Sequence, residues 1–273
     1  MAIICVCRGT RSGGRAMAEC LAKRLGYPIL GREVAQEAAR SLGVPAELLE
    51  RKLGDRPSRW SRFSSLRRAY VVAVQATLAE YAVGGNLVYH GLAGGLLVRG
   101  LPRTLCLRLI APMEIRIKAL MDEDPAVDAA TAGVYIRDVD ESRARWVRVM
   151  YGEDIMDPGL YDLVINLETM TVEGACALTA RAVRQPEYAL NDAVLASLED
   201  FRLACRVKVA LASDAEVRTM ELTATARGGE VVISGEAPLR KSGQTGERIV
   251  ALARAVQGVD RVRLNLEWYD PYP

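Results

Sequence analysis

The chain has 273 residues, 50% hydrophobic and 26% charged, so it can bury a substantial core and is not disordered throughout. Its 36 lysines and arginines against 34 acidic residues give a net charge of +2, which excludes a protein that mainly coats nucleic acid. None of its six cysteines forms a CxxC pair, so neither a structural zinc site nor a disulfide scaffold is predicted. No apolar run approaches the ~20 residues of a membrane-spanning helix, no signal peptide is recognised, and a cytoplasmic location is expected.

The chain opens with a predicted strand, loop and helix. Residues 2–7 form a short apolar run typical of a buried strand in a parallel sheet. A glycine-rich segment, 8–14, separates it from residues 15–25, whose apolar side chains share one helical face. Glycines let backbone N–H groups approach an anion, and a helix N-terminus adds about half a positive charge. This arrangement predicts a phosphate site, with an ordinary strand-to-helix turn as the alternative.

The segments up to residue 185 alternate between helical and strand patterns. Helices are predicted over 32–42, 46–53, 66–83, from Pro112 onward, over 129–150 and over 171–184, and strands over 87–90, 104–110 and 162–166. The polar residues 54–65 are predicted to form a mobile, lid-like connection. The alternation predicts an α/β domain over residues 1–185, a mostly parallel sheet with helices on both faces.

The pattern changes after a predicted linker, residues 186–197. It continues with a helix over 192–212, strands over 217–226 and 230–235, a helix over 240–256 and a strand over 259–268. This αββαβ order predicts a small α+β domain over residues 198–270, and the segment from about residue 191 onward is expected to fold alone.

The glycine-rich segment departs from the GxxxxGK[ST] pattern of nucleotide-binding loops. Gly14 stands where lysine is expected after Gly13, and Arg15 follows it. Arg8, Arg11 and Arg15 surround the loop, and a guanidinium group can bind phosphate through two hydrogen bonds. These arginines are therefore the candidate source of the missing positive charge.

Residues 1–185 resemble the cytidylate kinase-like family, a divergent branch of the P-loop nucleoside monophosphate kinases. The matching segments are Arg8-x-x-x-Ser12-Gly13-Gly14-Arg15, Leu30-Gly-Arg-Glu33, Ala111-Pro-Met-Glu-Ile-Arg116, Ile136-Arg-Asp-Val-Asp140-Glu-Ser-Arg143 and Tyr161-Asp-Leu-Val-Ile-Asn166. The resemblance implies a P-loop kinase-like parallel sheet, ATP and Mg²⁺ as cofactors, and phosphoryl transfer to a pyrimidine nucleoside monophosphate.

The resemblance also implies the site residues. The donor phosphates would be held by Arg8, Arg11, Ser12, Gly13, Gly14 and Arg15, and the catalytic residues would be Arg15, Arg137, Asp140 and Arg143. Arg137 and Arg143 would close over the phosphates as part of a lid helix, with Asp140 orienting them. Their spacing of three places them close to one helix face, which a solvated, salt-bridged helix would also explain.

Three departures from the family pattern predict impaired turnover. Arg11 replaces a glycine of the loop, Leu92 replaces an arginine that grips the acceptor phosphate, and Gly31 replaces an acidic residue near the acceptor base. Loss of one charge-stabilising donor lowers an enzymatic rate by about 10²–10³. The rival hypothesis is a non-catalytic nucleotide or anion sensor, or an adaptor. His90, at the end of an apolar run, is predicted to be structural.

Residues 198–268 resemble a BON domain. The matching segments are Val231-Val-Ile-Ser-Gly235-Glu-Ala237, Ala251 to Val262 and Asn265-Leu-Glu267. The resemblance implies a phospholipid or protein partner and no catalytic role, although Val231 and Ile233 themselves are predicted to be core residues.

Overall fold

The computed structural model describes residues 2–41, 64–91, 93–101, 103–239 and 242–270. The predicted helix over 46–53 and Leu92 lie outside these residues. So does the predicted lid-like connection, except for its last two residues, which begin a helix.

The first unit of the structure is a sheet of five parallel strands with helices around it. The strands are β1 (Ile3–Arg8), β2 (Ile29–Leu30), β3 (Leu87–Tyr89), β4 (Thr104–Ile110) and β5 (Leu163–Asn166), in the order β2-β3-β1-β4-β5. The helices are α1 (Gly14–Leu25), α2 (Arg32–Ser41), α3 (Ser64–Ala82), α4 (Gly94–Leu97), α5 (Met113–Glu123), α6 (Ala129–Tyr151) and α7 (Val172–Ala182). The predicted parallel sheet with flanking helices is confirmed.

β1 is apolar along its length because both of its faces are buried. Ile3 and Cys5 belong to the cluster that contains residues of α2 and α3. Ile4 and Val6 belong to the opposite cluster, which contains residues of α1 and α7. The central position of β1 fixes the place of the loop that follows it, at the carboxyl edge of the sheet.

Three local features differ from the sequence predictions. β2 and α4 were not predicted, since two and four residues are too short to show a periodic pattern. Residues 217–219 form a 3₁₀ turn before the strand that was expected to include them. A disulfide joins Cys20 of α1 to Cys176 of α7, although the composition had indicated no disulfide scaffold.

The C-terminal unit has the predicted αββαβ order. It comprises α8 (Asp192–Ser213), β6 (Glu221–Arg227), β7 (Glu230–Pro238), α9 (Ser242–Arg254) and β8 (Arg261–Tyr269). β7 is the middle strand, antiparallel to β6 and parallel to β8. Its core includes Val207 of α8, Ile233 of β7 and Ile249 of α9.

α8 contributes to the cores of both units. Leu198, near its start, is buried in the first unit's cluster, and Phe201 packs against the same cluster. Val207 and Leu211, further along, are buried in the C-terminal unit. In the described part of the chain, no helix is long and apolar enough to cross a membrane.

Candidate functional site

The loop between β1 and α1, residues 9–13, ends at an uncapped helix. Gly13 precedes α1 with φ 78° and ψ 6°, a left-handed conformation that favours glycine. No side chain caps α1 through a hydrogen bond to its first turn. The backbone N–H groups of that turn have no partners within the helix, so they can bind an anion.

The spacing of the loop corrects one prediction from the sequence. β1 ends at Arg8 and α1 begins at Gly14, so Gly9 and Gly14 enclose four residues. This is the spacing of the GxxxxGK[ST] pattern, with Arg15 at the lysine position and Ala16 at the hydroxyl position. Gly14 is therefore the last glycine of the pattern and not the residue at its lysine position.

Arg15 does not lie over the loop. Its side chain is 81% exposed and its Nε is 2.8 Å from Glu19 Oε1, one helical turn further along α1. The arginine at the lysine position is therefore paired on the outer face of the helix.

Arg8 lies across the start of α1 instead. A Cβ built on Gly14 would be 1.8 Å from Arg8 Cδ, so only glycine leaves room for this side chain. Burial lowers the pKa of the Arg8 guanidinium, and the nearby positive charge of Arg143 adds to this effect. Among the described residues, no hydrogen bond or ion pair joins the Arg8 side chain to another group.

Arg11 and Ser12 shape the loop from within. Arg11 adopts φ 60°, and its side chain forms an ion pair with Glu123 of α5. Ser12 is buried, and its Oγ donates to the carbonyl oxygens of Gly9 at 2.8 Å and of Leu109 at 3.3 Å. The Ser12 hydroxyl therefore holds the loop against β4.

Asp140 of α6 ties the predicted lid helix to the loop. Its Oδ1 accepts hydrogen bonds from the Thr10 backbone N–H at 2.8 Å and from Thr10 Oγ1 at 2.6 Å. Its Oδ2 pairs with Arg116 of α5, whose Nε donates to the Thr10 carbonyl at 2.7 Å. Partial burial alone would raise the pKa of Asp140, but the hydrogen bonds from Thr10 and Arg116 outweigh burial and lower it.

The other two predicted lid residues differ in position. Arg143 is half-buried, and its Nη1 donates to Thr10 Oγ1 at 2.9 Å. Arg137 is exposed, and no hydrogen bond or ion pair joins it to the loop in the described structure. The structure thus brings Asp140 and Arg143 to the loop but not Arg137. Arg116 is a site residue that the sequence argument quoted within a motif without giving it a role.

A cavity of about 720 Å³ lies beside the loop, within the size range of small-molecule sites. Its aromatic lining consists of Tyr70, Tyr89, Tyr135 and Trp146. Its basic lining consists of Arg8, His90 and Arg143, and the described lining contains no acidic side chain. The cavity therefore suits an anionic ligand with an apolar or aromatic body.

His90 was predicted to be structural, yet it lines this cavity. Burial lowers the pKa of its imidazole, and the charge of Arg8 lowers it further, so His90 is neutral near pH 7. A Cβ on Gly31 would be 2.6 Å from His90 Nε2, so the ring occupies the space beside this glycine. His90 Nδ1 and Trp146 Nε1 are buried without hydrogen-bond partners among the described residues. Buried polar atoms of this kind indicate a ligand or water site.

The loop fits the phosphate groups of a nucleotide better than it fits a bare metal ion. Ala16 offers no hydroxyl, Ser12 donates to two carbonyl oxygens, and Asp140 is already bonded to Thr10 and Arg116. The described residues contain no cluster of three acidic, histidine or cysteine side chains that could hold a metal.

The first unit is similar to known proteins in sequence. The sequence profile of the cytidylate kinase-like family matches residues 3–169. The cytidylate kinase of Pyrococcus horikoshii is 31% identical over 105 residues, which are 38% of this chain and 53% of that protein. The chain therefore spans about half the length of this curated relative.

The first unit is also similar to solved structures. An uncharacterized protein from Eubacterium ventriosum is 18% identical, with a TM-score of 0.51, over 67% of this chain and 97% of that one. This likeness shows the fold alone. Shikimate kinase from Bacteroides thetaiotaomicron is 10% identical, with a TM-score of 0.43, over 67% and 99% of the two chains, which is too distant to support an argument.

Proposed function

Because the chain belongs to the cytidylate kinase-like family, we propose that its first unit transfers a phosphoryl group from ATP to a pyrimidine nucleoside monophosphate. The observation that carries this proposal is the pair of half-buried guanidinium groups, Arg8 and Arg143, which line the cavity together. Neither contacts a carboxylate within hydrogen-bond distance in the described structure. Cations that are partly withdrawn from water and have no carboxylate partner are suited to a ligand that brings its own negative charge.

The donor phosphates bind at the loop and the first turn of α1. The N–H groups of Gly13, Gly14 and Arg15 lie at the uncapped helix end, where the helix dipole favours anions. Mg²⁺ would reach this site with the nucleotide and would supply neutralisation of the phosphate charge. Of the predicted donor-site residues, Ser12 acts by holding the loop in shape, while Arg11 acts through its pairing with α5.

Arg8 and Arg143 stabilise the transferred phosphoryl group. Phosphoryl transfer needs cations around the developing charge more than it needs covalent chemistry. Arg8 reaches the loop from the end of β1, and Arg143 reaches it from α6 through Thr10. In this proposal Arg8 performs the role that the sequence assigned to Arg15.

The acceptor nucleotide binds in the aromatic cavity. Tyr70, Tyr135 and Trp146 offer ring faces against which a planar base can pack. Neutral His90, which lines the same cavity, can accept or donate a hydrogen bond to such a ligand. Turnover is expected to be slower than the ~10 s⁻¹ typical of enzymes, because Ala16 provides no metal-orienting hydroxyl and Arg15 faces away.

The test is steady-state ADP release with ATP, Mg²⁺ and each of CMP, dCMP and UMP, together with calorimetric titration of the same nucleotides. We expect ATP binding and measurable, slow turnover with at least one pyrimidine monophosphate. A protein that binds ATP without turnover on any of them would overturn the transfer reaction. A protein that does not bind ATP would overturn the donor site.

For the C-terminal unit we propose a BON-type fold that takes a phospholipid or protein partner and carries no reaction. Its αββαβ order and its buried Val231 and Ile233 support the fold. Co-sedimentation of the full chain with vesicles containing anionic phospholipid tests the lipid partner, and absence of binding at low salt would overturn it.

A further inference from the structure

One wall of the acceptor cavity is supported by the C-terminal unit. α3 lines the cavity with Tyr70, Val71 and Val74. The same helix contacts α8 through Gln75 and Glu80. α3 therefore lies between the proposed acceptor and the C-terminal unit.

Gln75 connects α8 to a second part of the cavity wall. Its Oε1 accepts a hydrogen bond from Lys208 Nζ of α8 at 3.2 Å, and its Nε2 donates to the carbonyl of Leu97 at 2.9 Å. Leu97 lies at the end of α4 and lines the cavity. Lys208, Gln75 and Leu97 thus form a continuous chain of hydrogen bonds from the C-terminal unit to the cavity wall. Lys208 Nζ also lies 5.8 Å from the centre of the Phe201 ring, which helps to fix its position.

Arg206 fixes α8 to α3 at a second point. Its Nε and Nη2 are 2.6 Å and 2.8 Å from the two carboxylate oxygens of Glu80. A bidentate pair of this kind restricts the orientation of both side chains more than a single contact does. Beneath these polar contacts, buried Leu198 anchors the start of α8 in the first unit's core.

We propose that Lys208 and Arg206 are positioning residues for the acceptor site, holding α3 and α4 where the acceptor nucleotide binds. This inference rests on the proposed function, since it names what the cavity wall does for that reaction. The residues matched by the family profile end at 169, before α8 begins, so this support comes from outside the matched segment. Because coupling between sites is reciprocal, a partner that displaces α8 would weaken acceptor binding, and the acceptor would weaken that partner.

The experiment compares full-length Lys208→Met/Arg206→Met with wild type. Methionine keeps the apolar stem of each side chain while removing its hydrogen bonds. We expect the KM for CMP to rise at least about fivefold, with kcat and the KM for ATP unchanged, because the donor loop does not contact α8. The single variant Lys208→Arg, in which Arg206 is unchanged, retains a donor at position 208. Its affinity for CMP should therefore be much closer to wild type than that of the double methionine variant.

Arg248→Met is the matched control. Arg248 of α9 forms a bidentate pair with Asp214, with Nε 3.0 Å from Asp214 Oδ1 and Nη2 2.7 Å from Asp214 Oδ2, wholly within the C-terminal unit. Its loss should leave both KM values unchanged. Equal rises in both KM values for the double variant, or the same rise for Arg248→Met, would overturn the proposal.

A second measurement needs no ligand. Amide hydrogen exchange over residues 70–79 and 94–98 should accelerate in the double variant and stay at the wild-type rate in Arg248→Met. Unchanged exchange in these segments would overturn the positioning role. Wild-type protein that binds neither ATP nor CMP would overturn the proposed function alone. The exchange rates would then still show whether Lys208 and Arg206 hold α3 and α4 in place.

Discussion

Arg8 lies across Gly14 so closely that a Cβ on Gly14 would come within 1.8 Å of Arg8 Cδ and 2.9 Å of its Cβ. Small adjustments at the far end of the side chain cannot relieve such an overlap, since it involves the part of Arg8 nearest the backbone. The glycine at the start of α1 thus leaves the room that the Arg8 side chain occupies.

Gly14→Ala should therefore expel Arg8 from its position. Gly14 has no left-handed φ, so the backbone accepts alanine, and the helix start should lose little stability. ATP affinity measured by calorimetry should fall about tenfold or more, as one charge-assisted contact is lost. Gly246→Ala on α9 is the control, because a Cβ there meets only Leu264 at an ordinary 3.5 Å. Unchanged ATP affinity in Gly14→Ala would show that Arg8 does not serve the donor site.

Arg143 and Arg15 should behave differently when each is replaced by alanine. Arg143 is half-buried and donates a hydrogen bond to Thr10 at the loop, so its loss should lower kcat for ADP release by about 10²–10³. Arg15 is 81% exposed and paired only with Glu19, so its loss should leave kcat and ATP affinity close to wild type. A large effect of Arg15→Ala would mean that this side chain swings onto the phosphates when the nucleotide binds.

Asp140 should make stability depend on acid pH. Its pKa in the folded state is lowered, so the stabilisation is present above the unfolded value of about 3.9 and is lost as pH falls through the folded pKa. Asp140→Asn should be less stable than wild type at pH 7, and the difference in unfolding free energy should shrink as the pH falls below about 4. Asp138→Asn, exposed on the same helix, is the control. A pH-independent difference would contradict the assignment.

The sequence predicted the parts of the site that depend on chain order. β1, the loop and α1 were predicted because a buried parallel strand is apolar throughout, and because Gly13 and Gly26 mark the two ends of α1. Asp140 and Arg143 were identified through the family resemblance, and both reach the loop.

Other parts depended on side-chain direction, which the sequence does not encode locally. Arg15 and Arg8 both flank the loop, and only the packing of Gly14 shows that Arg8 covers it while Arg15 pairs with Glu19. His90 was predicted to be structural because it ends an apolar run, and the structure places it in the lining of the cavity. The sequence also did not show that α8 packs against both units. Leu198 is buried in the first unit and Val207 in the C-terminal unit, and this division depends on side-chain direction.

The disulfide between Cys20 and Cys176 should stabilise the first unit, because it closes a long stretch of chain into a covalent loop. The two cysteines are 156 positions apart and join α1 to α7, two helices that share one core cluster. A cross-link over such a loop restricts the unfolded chain and contributes about 5 kcal/mol in the chain-entropy model. Reduction should lower the urea midpoint of wild type and leave that of Cys20→Ser/Cys176→Ala unchanged.

Thiol titration of the denatured, unreduced protein should find four free cysteines, since the remaining ones are Cys5, Cys7, Cys106 and Cys205. Six titratable thiols, or a midpoint insensitive to reduction, would show that the cross-link is absent in solution.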